Sequence, residues 1–499
     1  MRTYVPTREQ YREYAARGNL IPVYREVLAD GDTPVSVYAK LGACDHSFLL
    51  ESVIAGEQWA AHSFIGVAPR LVFRATSDRV LVTRRDVEGG GPDRESTFIT
   101  SDPLATLADL LGEFRPEPPL GLPHFFGGAV GYFGFDLCRP RSAAPRVAGL
   151  GLPACYLVVS DTLLAFDNLR QTVKVVANSI CPSPAHADAA YDAACARIDA
   201  LCAQLAAPAP RLKPLELEHV GPVPARATLP RQDFLAAVAA GRDHIRAGNA
   251  YQLVLSQRFE LERGGVDPLD LYRGLRAVYP SPYMFHLQFP ECAVTGASPE
   301  CMVRLDGDVL EMRPFSGRRP RGRDDEEDDR LADELLADGR ARADHVLLVD
   351  TCRADLGRVA ATGSIEVDEF MAVEGGRQAM HLVSTLRGHL APGRDALQVL
   401  RATFPAATHT GAPKARASEI VGDLEATDRG VYGGAIGFIS FTGTVDLAVA
   451  GHTLVTRGDR IYVQAGARVR HDSDPDLAYD ATVADATAVV RAVAMAKGV

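Results

Sequence analysis

The sequence predicts a folded chain that mixes β-strands with α-helices, and three observations lead there. With 499 residues, 47% of them hydrophobic, the chain can bury one large core or two domains. Short strand-like runs crowd its first half, while helical stripes and strands share its second. Charged residues make up 23%, a share that excludes disorder of the whole chain.

In the first half, residues 33–41, 70–82, 155–161 and 172–177 read as strand-like runs. The alanine-rich stretch 188–205 reads as helix. It is followed by a proline-rich, aperiodic linker at 206–231 (AAPAPRLKPLELEHVGPVPARATLPR). Beyond the linker, residues 232–247 put Phe234, Leu235, Val238 and Ile245 on one helical stripe, with Gly248 as its stop. Residues 251–262 read as a strand. Residues 330–349 read as one helix behind an acidic run at 324–329, since carboxylates favour a helix N-terminus. The end, 476–496, is helical. Residues 127–136 (GGAVGYFGFD) echo 433–446 (GGAIGFISFTGTVD), which predicts two related sheet elements whose glycines allow close backbone approach. Neither stretch has the lysine of a P-loop or the spacing of a dinucleotide fingerprint.

The formal net charge is −11 and the sequence pI about 5.7, so a phosphate backbone is repelled and nucleic-acid binding is excluded as a general role. No apolar run approaches the roughly 18–20 residues needed to span a bilayer, and the first residues, MRTYVPTREQYREY, lack the apolar segment of a secretory signal. Nine scattered cysteines form no C-x-x-C pair. They predict reduced, mostly buried thiols in a cytoplasm, with no zinc or iron–sulfur site.

A series of motifs then follows in order: 48–52 (FLLES), 127–136, 280–285 (PSPYMF), 297–300 (ASPE), 313–322 (RPFSGRRPRG), 344–358 (DHVLLVDTCRADLGR), 403–420 (TFPAATHTGAPKARASEI), 432–437 (YGGAIG) and 463–475 (VQAGARVRHDSDP). Any one is weak. The ordered set resembles component I of anthranilate synthase, within the chorismate-utilising enzymes. The resemblance implies an α+β fold, in which β-sandwich-like antiparallel sheets are flanked by helices. It implies a regulatory part at 1–205, the linker at 206–231 and a chorismate-binding, catalytic-type domain at 232–499. The implied reaction adds ammonia to chorismate, displaces its ring hydroxyl and then expels pyruvate. A glutamine amidotransferase subunit would supply the ammonia, since this chain has no cysteine-nucleophile motif of its own.

That chemistry needs a grip on carboxylates, a proton shuttle and, in the family, Mg²⁺ held by carboxylates. His381 matches the family's active-site histidine. Gly317, Thr408, Gly411, Lys414, Tyr432 and Gly466 match substrate-pocket positions, the glycines letting backbone donors approach an anion. The metal positions differ. Two glutamates three apart on one helix are Ala341 and Asp344 here, and a second pair on the last helix is Ala478 and Ala481, which leaves Asp344 as a remnant ligand. Asp480 sits about 100° away around that helix. A lysine near its end is Asp485. Cations are gained instead. Arg318 stands for a threonine, Arg468 for a glycine and His452 for an arginine; Ala354 stands for an asparagine, and His409 and Arg377 are new. Two readings stay open: drift in an inactive relative, or arginines that grip a carboxylate where the metal would.

The segments resembling the family's tryptophan site are nearly intact. Glu51 and Ser52 offer hydrogen bonds to an amino group, and Leu50, Pro282, Tyr283 and Met284 offer an apolar wall. Three functions remain in view at the level of the sequence. One is anthranilate-type amination of chorismate. A second is a metal-independent homologue acting on another carboxylate in specialised metabolism. The third is a non-catalytic regulatory subunit.

Overall fold

The structure is a computed structural model describing residues 3–42, 44–52, 62–76, 78–86, 91–138, 149–216, 221–376 and 379–498. Among these residues the strands form two twelve-stranded sheets in which every pairing between strands is antiparallel. Both sheets draw on both halves of the chain. In the first, the early strand Ser47–Glu51 pairs with the later strand Tyr283–Gln288; in the second, Gly128–Phe133 pairs with Ala435–Ser440. This last pairing joins the two stretches whose sequences echo each other.

One aromatic-rich core lies between the sheets, with Phe48, Phe285 and Val294 of the first meeting Val72, Tyr132 and Ile436 of the second. A second core lies under the helices Ala187–Leu205, Pro268–Val278 and Pro475–Lys497. A third lies between the other sheet and the helices Pro103–Gly112, Gly339–Leu356 and Ala396–Thr403. The α+β, sandwich-like arrangement is the one the motifs imply.

Most elements fall where the residue pattern puts them, including Ala187–Leu205, Arg231–Arg246, Gln252–Glu262 and Pro475–Lys497. Gly248 ends its helix at a φ of 80°. Residues 70–82 resolve into a hairpin of Leu71–Ala75 and Arg79–Arg84. Two readings are corrected. Residues 33–41 are not a strand but the helix Pro34–Leu41. Thr33 and Ser36 form a reciprocal capping box and Pro34 occupies the first turn, so capping overrides the β-branched alternation of Val35 and Val37. Residues 330–349 are not one helix but parts of two, Asp325–Ala337 and Gly339–Leu356. The break falls at Asp338, whose carboxylate accepts from the backbone N–H groups of Arg340 and Ala341 and starts the second helix. Within the linker, Arg226–Ala227 adds a short strand beside Gln252–Glu262. All nine cysteines are free, and no helix among the described residues is long and apolar enough to cross a membrane.

Candidate active site

A cavity of about 530 Å³ is lined entirely by residues numbered 254 or higher. Its volume lies within the roughly 300–1,000 Å³ of small-molecule sites. One wall is the strand Arg460–Val469. Its two-residue period turns Ile461, Val463 and Val469 into the core and brings Gln464, Gly466, Arg468 and, just past its end, Arg470 to the cavity. Gly466 is required there, because a Cβ would lie 2.7 Å from the Tyr432 hydroxyl. The opposite wall combines Ala341 and Asp344, three apart on the helix Gly339–Leu356, with the strands Phe315–Pro320 and Ala379–His389.

Those two strands slip register between Ser316 and Arg319. The bulge has a positive φ of 65° at Gly317, presents the Gly317 carbonyl to His381 and swings Arg318 outward to Asp485 at 3.0 Å. His381 Nδ1 donates to that carbonyl at 2.7 Å, so neutral His381 carries its lone pair on Nε2. Burial lowers its pKa, favouring the neutral ring.

Across the cavity lies a buried carboxyl that the motif reading quoted within ASPE but gave no role. Glu300 is 5% exposed. Desolvation raises its pKa to about 8, against the opposing pull of the Thr408 hydroxyl and Arg468, so it is mostly protonated at neutral pH. Thr408 Oγ1 is 2.8 and 2.9 Å from its two oxygens and 3.2 Å from His409 Nδ1. His409 packs edge-on against Tyr432 with centroids 5.4 Å apart; burial, then Arg429, holds its pKa down at about 3. His452 stacks on Tyr279 at 4.5 Å, is kept neutral chiefly by desolvation, and has a buried Nδ1 with no hydrogen-bond partner among the described residues. Three uncharged imidazoles and a protonated carboxyl therefore share one cavity.

The arginines that line the same cavity are paired with acids. Arg468 Nη1 donates to Asp344 at 3.2 Å, Arg470 Nε donates to it at 3.1 Å, and Arg470 Nη2 adds a further bond. Arg470 also lay within reach of sequence reasoning, since it follows Arg468 at the two-residue period of the strand. Arg319 pairs with Asp338 at 2.9 Å and Arg340 with Asp472. After these pairings, one guanidinium of the two on Asp344 remains in excess.

Of the expected substrate residues, the cavity wall includes Gly317, Arg318, Thr408, Tyr432, His452, Gly466 and Arg468, with His381 among them. Gly411 and Lys414 lie outside it. Gly411 instead pairs with Leu253, where a Cβ would meet the Gln252 carbonyl at 2.3 Å. The Lys414 ammonium is committed to Asp355 at 2.6 Å and the Thr403 carbonyl at 2.8 Å. Arg377 lies outside the described residues. At the metal positions Ala341, Ala478 and Ala481 carry no donor atom, and both Asp344 oxygens already accept from arginine. Among the described residues no three His, Cys, Asp or Glu side chains converge as a metal site.

A smaller cavity of about 70 Å³ is lined by Leu50, Glu51, Ser52, Pro282, Tyr283 and Met284, together with Phe64, Phe438 and Asp446. The register pairs Glu51 with Met284 and Leu50 with Phe285. Glu51 is buried, accepts from the Tyr272 hydroxyl and lies 3.5 Å from Arg276; burial raises its pKa.

A family model described as chorismate binding enzyme matches residues 48–491. Anthranilate synthase component 1 of Pseudomonas aeruginosa is 39% identical over 497 residues, covering 98% of this chain and 99% of that protein. The crystal structure of anthranilate synthase component I from Streptococcus pneumoniae covers 93% of this chain and 98% of its own, at 30% identity and a TM-score of 0.75. The menaquinone-specific isochorismate synthase of Escherichia coli shares the fold at a TM-score of 0.71 and 16% identity, covering 97% of this chain and 98% of its own.

Proposed function

The chain belongs to the chorismate-binding enzyme family, and on that premise we propose that it is an anthranilate synthase component I-like enzyme, aminating chorismate and eliminating pyruvate. The observation that carries the reading is that His381 and the buried Glu300 line one cavity, with environments that favour a neutral ring and a protonated carboxyl. Glu300 donates a proton to the departing ring hydroxyl as ammonia adds. His381 Nε2 takes the ring proton as the ring C–O bond to the enolpyruvyl group breaks; the ring becomes aromatic, and the enolpyruvate released gains a proton at its methylene carbon from water to become pyruvate. Arg318 and Arg468 hold the substrate carboxylates. The family implies Mg²⁺, but the alanines and the arginine-saturated Asp344 do not fit it, and no step above uses a metal.

The same alanines favour a second reading, a homologue that performs related chemistry on another ring carboxylate without a metal, as in specialised metabolism. The division into a regulatory part at 1–205 and a catalytic part at 232–499 belongs to this proposal. It is supported by a large cavity lined only by the second part and a small one lined by both. So do a glutamine amidotransferase partner, a cytoplasmic location and a tryptophan-like effector at Leu50, Glu51, Ser52, Pro282, Tyr283 and Met284. The test is incubation of the purified chain with chorismate and ammonium, read by mass spectrometry. Anthranilate and pyruvate in equal amounts are expected; chorismate recovered unchanged removes the activity.

A further inference from the structure

A metal-dependent carboxylate site needs oxygen donors with free lone pairs converging on one point. At the corresponding place this cavity has one carboxylate, Asp344, and three N–H groups from two arginines already occupy its oxygens. A divalent cation brought there would face two fixed guanidinium charges at close range, and Ala341, one helical turn away, offers it no atom.

The arginines are not incidental surface groups. Arg468 stands two residues from the obligatory Gly466 on the same strand face, has a side chain 25% exposed, and forms part of the cavity wall. Its Nη1 is used by Asp344. Its other donors have no protein partner among the described residues. Two guanidiniums share one carboxylate, so the cluster is one negative charge short of neutral. A planar guanidinium with spare N–H groups matches a carboxylate in both geometry and charge.

We propose that Arg468, braced by Asp344 and Arg470, binds a ring-borne carboxylate of the ligand directly and takes the place of a divalent cation. This rests on the reading that the cavity accepts a ring carboxylate, and it names the device that holds it. Asp344 is then a positioning residue: it fixes both guanidiniums, and the ligand carboxylate supplies the missing negative charge.

The test is calorimetric binding of two probes to the full chain, chorismate and benzoate, each with a chelator or with millimolar Mg²⁺. At least one probe is expected to bind with the same Kd, within about twofold, in both arms, and Arg468→Gly should weaken it about tenfold or more in both, the scale of a lost charge-assisted bond. The Mg²⁺ comparison needs only the unaltered chain, and Arg468→Lys, which keeps the charge but not the fork, should give an intermediate loss. A tenfold gain in affinity with Mg²⁺, an Arg468→Gly chain that binds as tightly as the original, or no binding of either probe each overturns the proposal. Metal-independent, Arg468-dependent binding of benzoate without chorismate would leave this proposal standing and remove the chorismate assignment. Chorismate bound only with Mg²⁺ would do the reverse.

Discussion

In the proposed reaction Glu300 and His381 divide the work between an acid and a base because their surroundings differ from those of the free side chains. Burial raises the carboxyl to about 8 and lowers the imidazole. The pH dependence follows in sign. A raised carboxyl is protonated below its folded pKa, so kcat should fall as pH rises through about 8. Its contribution to stability is complete below the ordinary carboxylate range and is lost as pH rises through about 8. Glu300→Gln keeps the size of the group but removes the transferable proton, and kcat should drop about 10²–10⁴-fold with the melting temperature little changed. A pH–rate profile and a thermal melt check this; a Gln variant with unaltered kcat would remove Glu300 from the chemistry. Lys414 shows the opposite case, a matching family position that the structure spends on Asp355 at 2.6 Å, with both side chains buried. Lys414→Met should therefore cost about 3–5 kcal/mol of stability by stranding Asp355, measured by chemical denaturation. An unchanged denaturation midpoint would show that the pair is not structural. The sequence motifs were sufficient to bring His381, Thr408, Tyr432 and Arg468 to one cavity. They could not show that Lys414 faces inward to a carboxylate 59 residues away, because that depends on which side of a turn the chain packs.

At the scale of elements, periodicity was a good guide where one face is buried and a poor one where a few residues decide. The long strand Arg460–Val469 and the helix Arg231–Arg246 repeat their apolar positions often enough to be legible. The helix Pro34–Leu41 was not, since its alternating valines suit a strand and only the Thr33–Ser36 cap tips the balance. Thr33→Ala should cost about 0.5–2 kcal/mol, more than an exposed threonine elsewhere, and a denaturation midpoint unchanged from the original would show that the cap is dispensable. The echo between residues 127–136 and 433–446 has a mechanical cause. Gly131 and Gly437 pair directly across two strands, at φ of 153° and 147°. A Cβ on Gly437 would lie 2.1 Å from the Asp446 carbonyl, and one on Gly131 would lie 2.0 Å from that of Tyr156. Gly437→Ala should accordingly destabilise the chain by about 1–3 kcal/mol through forced backbone movement. Denaturation that leaves the midpoint in place would mean that the sheet yields without cost.

Because both sheets are woven from both halves of the chain, the two cavities are mechanically connected. The strand Ser47–Glu51 is hydrogen-bonded to Tyr283–Gln288, which turns back into Ala293–Ser298, with Tyr283 opposite Ser298. Ser298 and Glu300 line the large cavity, and Pro282 lines both. The small cavity, about 70 Å³, is far below the roughly 300 Å³ at which ligand pockets begin. An indole-bearing amino acid can enter only if these two strands separate or their side chains repack. Such a change has a direct route to the Ser298–Glu300 corner, where the buried Glu300 carboxyl sits. Tryptophan at a hundred times its Kd should thus stabilise the chain by about 2.7 kcal/mol and raise its melting temperature. By reciprocity it should weaken chorismate binding by the same factor as chorismate weakens tryptophan binding. Ser52→Ala and Met284→Ala should diminish both effects together while leaving chorismate binding without tryptophan unchanged, since neither residue lines the large cavity. A thermal melt and a calorimetric chorismate titration, each with and without tryptophan, decide it. A melting shift without any change in chorismate affinity would leave a binding site but no coupling, and no shift at all would mean that the preserved motif serves only to pack two strands.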